Sequence, residues 1–173
     1  MGSLTNQILI SMPHMADPYF SKAVVYVCEH NKEGAIGMII NKQFQAPDLK
    51  ELFEKLYVGD DTIHSLVNDI FFGGPVMLER GIVLHDAAYK SEGTINISDH
   101  ISMTSQQHVL KELQRRPDIP FKLMLGHSGW SQGQLKEKLK MVIGSCKTPR
   151  KILFSMLIQN KCGNKQLGPW VWI

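Results

Sequence analysis

The sequence predicts an α+β fold, on three observations. From Lys22 to Lys42 the chain reads KAVVYVCEHNKEGAIGMIINK, with two runs rich in Val, Ile and Met around the polar segment EHNKEG. That is the pattern of an antiparallel pair joined by a short loop. About nine short strand-like runs and about three helix-like ones occur without regular alternation, which disfavours a doubly wound parallel sheet. At 173 residues the chain fits one domain, spanning 1–173, that buries roughly 70% of its unfolded surface without covalent staples.

The elements follow in order. ILI before Pro13 suits a first strand, ended where proline removes a ladder donor. HMADPYFS is a loop leading into the hairpin. Both hairpin runs are almost continuously apolar, so both faces are expected to be covered, as in central strands. After the connector KQFQAP, Asp48 with Glu51 three residues on makes a capping box for the helix DLKELFEKLYV. GDDTIHSLVND is weakly patterned and irregular. DIFFGGPVML reads as a strand stopped by the constrained turn Gly73-Gly74-Pro75. GIVLHD and TINISD are further strands, and Ser105 is placed to cap the helix SQQHVLKELQRR, closed by Pro117. FKLMLG is a compact apolar strand, HSGWSQG a loop bracketed by glycines, and QLKEKLK a short basic helix.

Composition narrows the function classes. Three cysteines, Cys28, Cys146 and Cys162, form no Cys-x-x-Cys pair, which suits a reduced, cytoplasmic setting better than a secreted one. No apolar run reaches the ~18 residues that a membrane span needs, and MGSLTNQ has neither the plan of a signal peptide nor the myristoylation pattern. Charge is unevenly divided: Met1–Leu110 hold 7 Lys and Arg against 13 Asp and Glu, net −6, and Lys111–Ile173 hold 12 against 3, net +9. Such a split suits an anion or nucleic acid, or two halves that neutralise each other on packing. No nucleic-acid motif accompanies the charge, so nucleic acid is not the expected partner.

Several residues are candidates for a ligand site, each with a structural alternative. Glu29, His30 and Asn41 are expected at one mouth of the hairpin, where they could converge on a ligand or satisfy the loop backbone. Gly73, Gly74 and Pro75 could let a ligand approach the main chain or simply turn it. Trp130 could stack on a planar ligand or anchor its loop to the core. His127-Ser128 sits where a nucleophile elbow would, but Gly129 follows Ser128 directly, so Gly-x-Ser-x-Gly is absent. Cys28-x-His30 with His85 or His127 could supply metal ligands, yet no His-x-x-x-His or Cys-x-x-Cys spacing anchors a site. No metal, no cofactor and no catalytic residue is assigned. Convergence of Glu29, His30, Asn41, His85 and His127 in space would instead argue for an enzyme.

Taken together, ILISMP, DPYFSKAVVYVCEHNKEGAIGMIINK, FFGGPVMLERGIVLH and LGHSGWSQGQL resemble the bacterial AlgH family, also called the YqgE family, over about residues 6 to 158. The resemblance implies a cytosolic, single-domain protein whose mostly antiparallel sheet bifurcates into a pseudo-barrel flanked by about three helices. It also implies a regulatory role, one member being linked to control of alginate synthesis, but no agreed enzymatic activity. No helix-turn-helix accompanies the label of transcriptional regulator, so the expected partner is a small ligand or another protein. The motif positions that carry over include Asp17, Glu29, His30, Asn41, Gly73, Gly74, Arg80, His85, Gly126, Trp130 and Gly133, as signatures of membership. The end departs from the pattern: residues 159–173 finish in NKCGNKQLGPWVWI, where relatives carry a helix ending Met-Gly-Val-Asp. A codon set compatible with Cys162 to Ile173, read one base out of register, can yield the family ending. A frameshift is therefore expected, with Trp170 and Trp172 belonging to no evolved site.

Overall fold

The structure, a computed structural model, describes residues 2–44, 70–137 and 141–144. The expected hairpin forms from β2 (Val24–His30) and β3 (Gly34–Ile39), paired antiparallel, with Cys28 the extra residue of a bulge between Val27 and Glu29. Asn31 shapes its tip, since its side-chain oxygen accepts the N–H groups of Glu33 (2.8 Å) and Gly34 (3.2 Å). β1 (Ile8–Ser11) pairs with β2 on one side and with β9 (Met141–Gly144) on the other.

The second half is built on β8 (Phe121–Ser131), which is longer than the FKLMLG strand predicted from sequence. Its first half lies between β4 (Ile70–Phe72), which runs parallel to it, and β5 (Val76–Asp86), which runs antiparallel. Past Gly126 its second half pairs with β3, from Ser128 opposite Gly37 to Ser131 opposite Gly34. HSGWSQG is therefore strand through Ser131 rather than loop. Locally its glycines and serines look like a turn, but they lie where the strand passes from one half of the sheet to the other. Two short strands, β6 (Ile95–Asn96) and β7 (Ile101–Thr104), complete the order β6-β7-β5-β8-β3-β2-β1-β9, with β4 against β8. The sheet is thus mostly antiparallel and bifurcated, and it curls into half a barrel.

Among the described residues there is one two-turn helix, α1 (Gln107–Gln114), and a single turn, α2 (Gln134–Glu137). The helix expected from Asp48, like the tail with Trp170 and Trp172, lies outside the described residues. Ser105 does not cap α1. The cap is Gln106, with no side-chain hydrogen bond, because the Ser105 hydroxyl accepts the Arg80 guanidinium at 3.1 Å.

Alternation along the strands sorts the apolar side chains into three cores. Ile8, Tyr26, Cys28, Met38, Phe71, Leu84 and Met124 fill the inside of the half-barrel. Val25, Val27, Ile39 and Leu9 face outward under Trp130, Phe20 and Leu135. Val83, Leu123, Leu125 and Ile70 face outward under α1, which contributes Val109, Leu110 and Leu113. The hairpin is thus covered on both faces, as its unbroken apolar runs predict. No helix among the described residues is long and apolar enough to cross a membrane.

Candidate functional site

The hairpin tip borders an open cleft of about 510 Å³, walled by Gly2 and Ser3, by His30, Asn31, Lys32 and Gly34, and by Ser131, Gln132 and Gly133, with Leu135 beneath. Three backbone segments meet here because β8 runs on beside β3 to Ser131, and because the N-terminal residues are tied to His30. The Leu4 N–H donates to His30 Nδ1 (2.9 Å), the His30 N–H donates to Thr5 Oγ1 (2.9 Å), and Ser3 Oγ donates to the His30 carbonyl (2.9 Å). Because Nδ1 accepts a backbone N–H, the proton of the neutral ring sits on Nε2. Across the cleft, Gln134 Oε1 accepts both the N–H and the hydroxyl of Ser131, at 2.9 and 3.1 Å.

Of the candidate ligand-site residues read from the sequence, only His30 lines this cleft. Glu29 is its exposed neighbour and accepts Asn31 Nδ2 at 2.8 Å. Asn41 does not join them, which corrects the expectation of a shared mouth. It lies beside Val24, about 17 Å along the strand from Glu29 at 3.3 Å per residue. There Oδ1 accepts the Val24 N–H (2.8 Å) and Nδ2 donates to the Lys22 carbonyl (2.9 Å), holding Lys22 at φ 52°. Asn41→Ala is accordingly expected to cost about 1–2 kcal/mol, the value of two hydrogen bonds at a half-open site, read as a lower urea midpoint with an unchanged slope.

Trp130 is buried in the outward core and tilted against Phe20 at 5.8 Å, so it anchors β8 and offers no exposed face. Gly73 and Gly74 pack main chain to main chain: a Cβ on either would stand 2.2 or 2.3 Å from the backbone of Gly126 or His127. Ser128 is buried and its hydroxyl donates to the Gly73 carbonyl at 3.2 Å, so it is no exposed nucleophile. His85 is fully buried on the α1 side, edge-on to Tyr89 at 5.5 Å, with Nδ1 2.9 Å from the Asp86 carbonyl and Nε2 unpartnered. Burial holds its pKa down, against the opposing pull of Asp86. His127 sits opposite Val76 with Nδ1 unpartnered, and its pKa is lowered by burial and then by the Arg80 charge. Both rings favour the neutral form on folding, so their stabilisation is lost as pH falls below the ordinary histidine range.

Cys28 points into the half-barrel, and burial pushes its thiol up to about 12. That suits the buried hydrophobe rather than a metal ligand. Among the described residues no three His, Cys, Asp or Glu side chains gather as a metal site would need. A second hollow, of about 340 Å³, opens beside α1 between Arg80, Glu79 and Ser105; it holds none of the expected site residues.

Sequence reasoning missed Lys122. It is 1% exposed inside the half-barrel, with Nζ 2.6 Å from the Ile40 carbonyl and 3.6 Å above the Phe71 ring. Burial alone lowers its pKa to about 7. The signal was present: a lysine within an apolar strand covered on both faces has no solvent to reach.

The described residues form a bifurcated, mostly antiparallel half-barrel with a polar cleft at one hairpin tip, which defines a sheet-dominated single domain. The chain belongs to the AlgH-like family, DUF179, whose model matches residues 8–144. It is 45% identical over 139 residues to a UPF0301 protein of Ralstonia nicotianae, covering 79% of this chain and 72% of that one. A UPF0301 protein of Dechloromonas aromatica is 39% identical over 139 residues, with 79% and 74% covered. The solution structure of the AlgH protein from Pseudomonas aeruginosa superposes with a TM-score of 0.66 at 29% identity, over 97% of this chain and 96% of that one. A Corynebacterium diphtheriae protein shares the fold at a TM-score of 0.60 and 14% identity, over 83% and 77%.

Proposed function

We propose that this protein is a cytoplasmic regulator that acts by binding a small ligand or a protein partner at the hairpin-tip cleft, not by catalysis. One observation carries the reading: of Glu29, His30, Asn41, His85 and His127, only His30 lines the cleft. A base, a nucleophile and an orienting group would have to share one wall. Here Asn41 is spent on a backbone clamp and His85 is enclosed under α1. Any influence on transcription would run through the bound ligand or partner, since the sequence carries no helix-turn-helix motif.

A thermal-shift screen of nucleotides, redox cofactors and common metabolites tests this, because any ligand that prefers the folded state stabilises by RT ln(1 + [L]/Kd). Hits are mapped by amide NMR. The expected result is a stabilising compound that moves the signals of Asn31–Gly34 and Ser131–Gly133. Turnover of a bound compound, or hits that map only elsewhere, would refute the reading.

A further inference from the structure

We infer that the hairpin-tip cleft takes an oxyanion, a carboxylate or a phosphate, on the His30 ring and the Lys32 ammonium. The inference rests on the cleft being the binding site and adds the chemistry of what enters it. It follows from counting which side-chain hydrogen-bonding groups around the cleft are already spent.

Most of the side-chain acceptors around the cleft are committed. Asn31 Oδ1 takes two backbone N–H groups, and Gln134 Oε1 takes the N–H and hydroxyl of Ser131. Ser3 Oγ accepts the Thr5 N–H at 3.2 Å while donating to the His30 carbonyl. The Glu29 carboxylate accepts from Asn31, and neither Glu29 nor Glu33 is among the described residues lining the cleft.

What stays free is weighted to donors. His30 Nδ1 is taken by the Leu4 N–H, so its available atom is Nε2–H. Lys32 is exposed, lines the cleft, and makes no hydrogen bond or ion pair among the described residues. The Gln132 amide, also uncommitted, can serve either way. One fixed N–H and one mobile ammonium on the same cleft match a ligand that presents acceptors and negative charge, and charge-assisted bonds are the stronger kind. A ligand bearing only donors would find just the Gln132 amide and the Ser131 hydroxyl oxygen as side-chain acceptors, and no negative charge.

The test is a pair of titrations on the full chain, inorganic phosphate in one and acetate in the other, at ionic strength held constant with chloride. The signals followed are the Asn31–Gly34 and Ser131–Gly133 amides and the His30 ring nitrogens. Saturable shifts are expected, and the tighter of the two anions identifies the ligand's acid group. Lys32→Gln is expected to weaken binding about tenfold, the loss of one charge-assisted bond. His30→Asn keeps an oxygen to accept the Leu4 N–H but removes the Nε2 donor, so weakening without loss of the folded spectrum assigns the contact to that atom. Shifts that rise linearly without saturating, or saturable binding indifferent to both substitutions, overturn the inference. Neutral compounds that move the same amides when both anions fail would sink the oxyanion and leave the cleft as a binding site. Should nothing bind there, both readings fall.

Discussion

Gly73→Ala is expected to destabilise the protein by about 4 kcal/mol or more, beyond the usual range for overpacking, because the added methyl meets backbone rather than a side chain that can turn away. Its Cβ would lie 2.2 Å from the Gly126 carbonyl oxygen, 3.2 Å from that carbonyl carbon and 3.3 Å from Met124 Cβ. Retreat is blocked on three sides. The Gly73 N–H donates to the Leu125 carbonyl at 2.9 Å, and its own carbonyl accepts the Ile39 N–H at 2.8 Å and the Ser128 hydroxyl at 3.2 Å. These bonds join β4, β3 and β8 at the point where β8 leaves one half of the sheet for the other, so displacing Gly73 loosens the bifurcation itself. Gly126, at φ +72° with its own Cβ position 2.3 Å from the Gly74 carbonyl oxygen, is the matching half of the joint. Gly129 is the control. It lies in the same strand with nothing within 4 Å of a built Cβ, so Gly129→Ala is expected to stay within about 0.5 kcal/mol of wild type. Urea unfolding of the two variants side by side decides it; a Gly73→Ala protein within about 1 kcal/mol of the parent would show that the crossing has room.

This joint also marks where local reading of the chain stops being sufficient. Continuous apolar runs in AVVYVC and AIGMII were enough to place a hairpin covered on both faces, since each strand must hide both rows of side chains. HSGWSQG read as a loop because glycine permits a turn, yet through Ser131 it is strand, and Gly126 just before it serves close approach to Gly74, distant in sequence. The same non-locality separated Asn41 from Glu29. Both flank the hairpin in sequence, but in an antiparallel pair the residues near the loop and those near the open end are a strand length apart. His30 alone stayed at the cleft, because the groups opposite it come from the N-terminal residues and from β8, which no pattern within the hairpin encodes. For the clamp at Asn41 a readable hint existed, since Asn at a strand end often bonds to neighbouring backbone.

Lys122 leads to the other large effect, a stability that rises with pH through the neutral and mildly alkaline range. Its ammonium carries three donors, and inside the half-barrel it has one carbonyl, that of Ile40, and one ring face, that of Phe71. Among the described residues no anion pairs with it. The titratable groups in the same core are Tyr26 and Cys28, and burial raises the pKa of both, so they are neutral at pH 7. Desolvation therefore favours the free amine, and the folded pKa falls from 10.5 to about 7. The direction follows from proton counting. Between the two values the unfolded chain holds a proton that the folded one has released, so stability grows with pH across that window and is lost as pH falls through the folded pKa. Each full unit of the window is worth about 1.4 kcal/mol, and because the folded group is only half titrated at its lower edge, about 2 kcal/mol accrues between pH 7 and 9. Lys122→Met keeps the bulk and removes the titration, leaving the Ile40 carbonyl without its donor, a cost of about 1–3 kcal/mol that does not vary with pH. The informative quantity is thus the difference in unfolding free energy between wild type and Lys122→Met, which is expected to shift in favour of wild type by about 2 kcal/mol from pH 7 to 9. A difference that stays flat across that range would mean the ammonium is better solvated or better paired than the Ile40 carbonyl and the Phe71 ring allow.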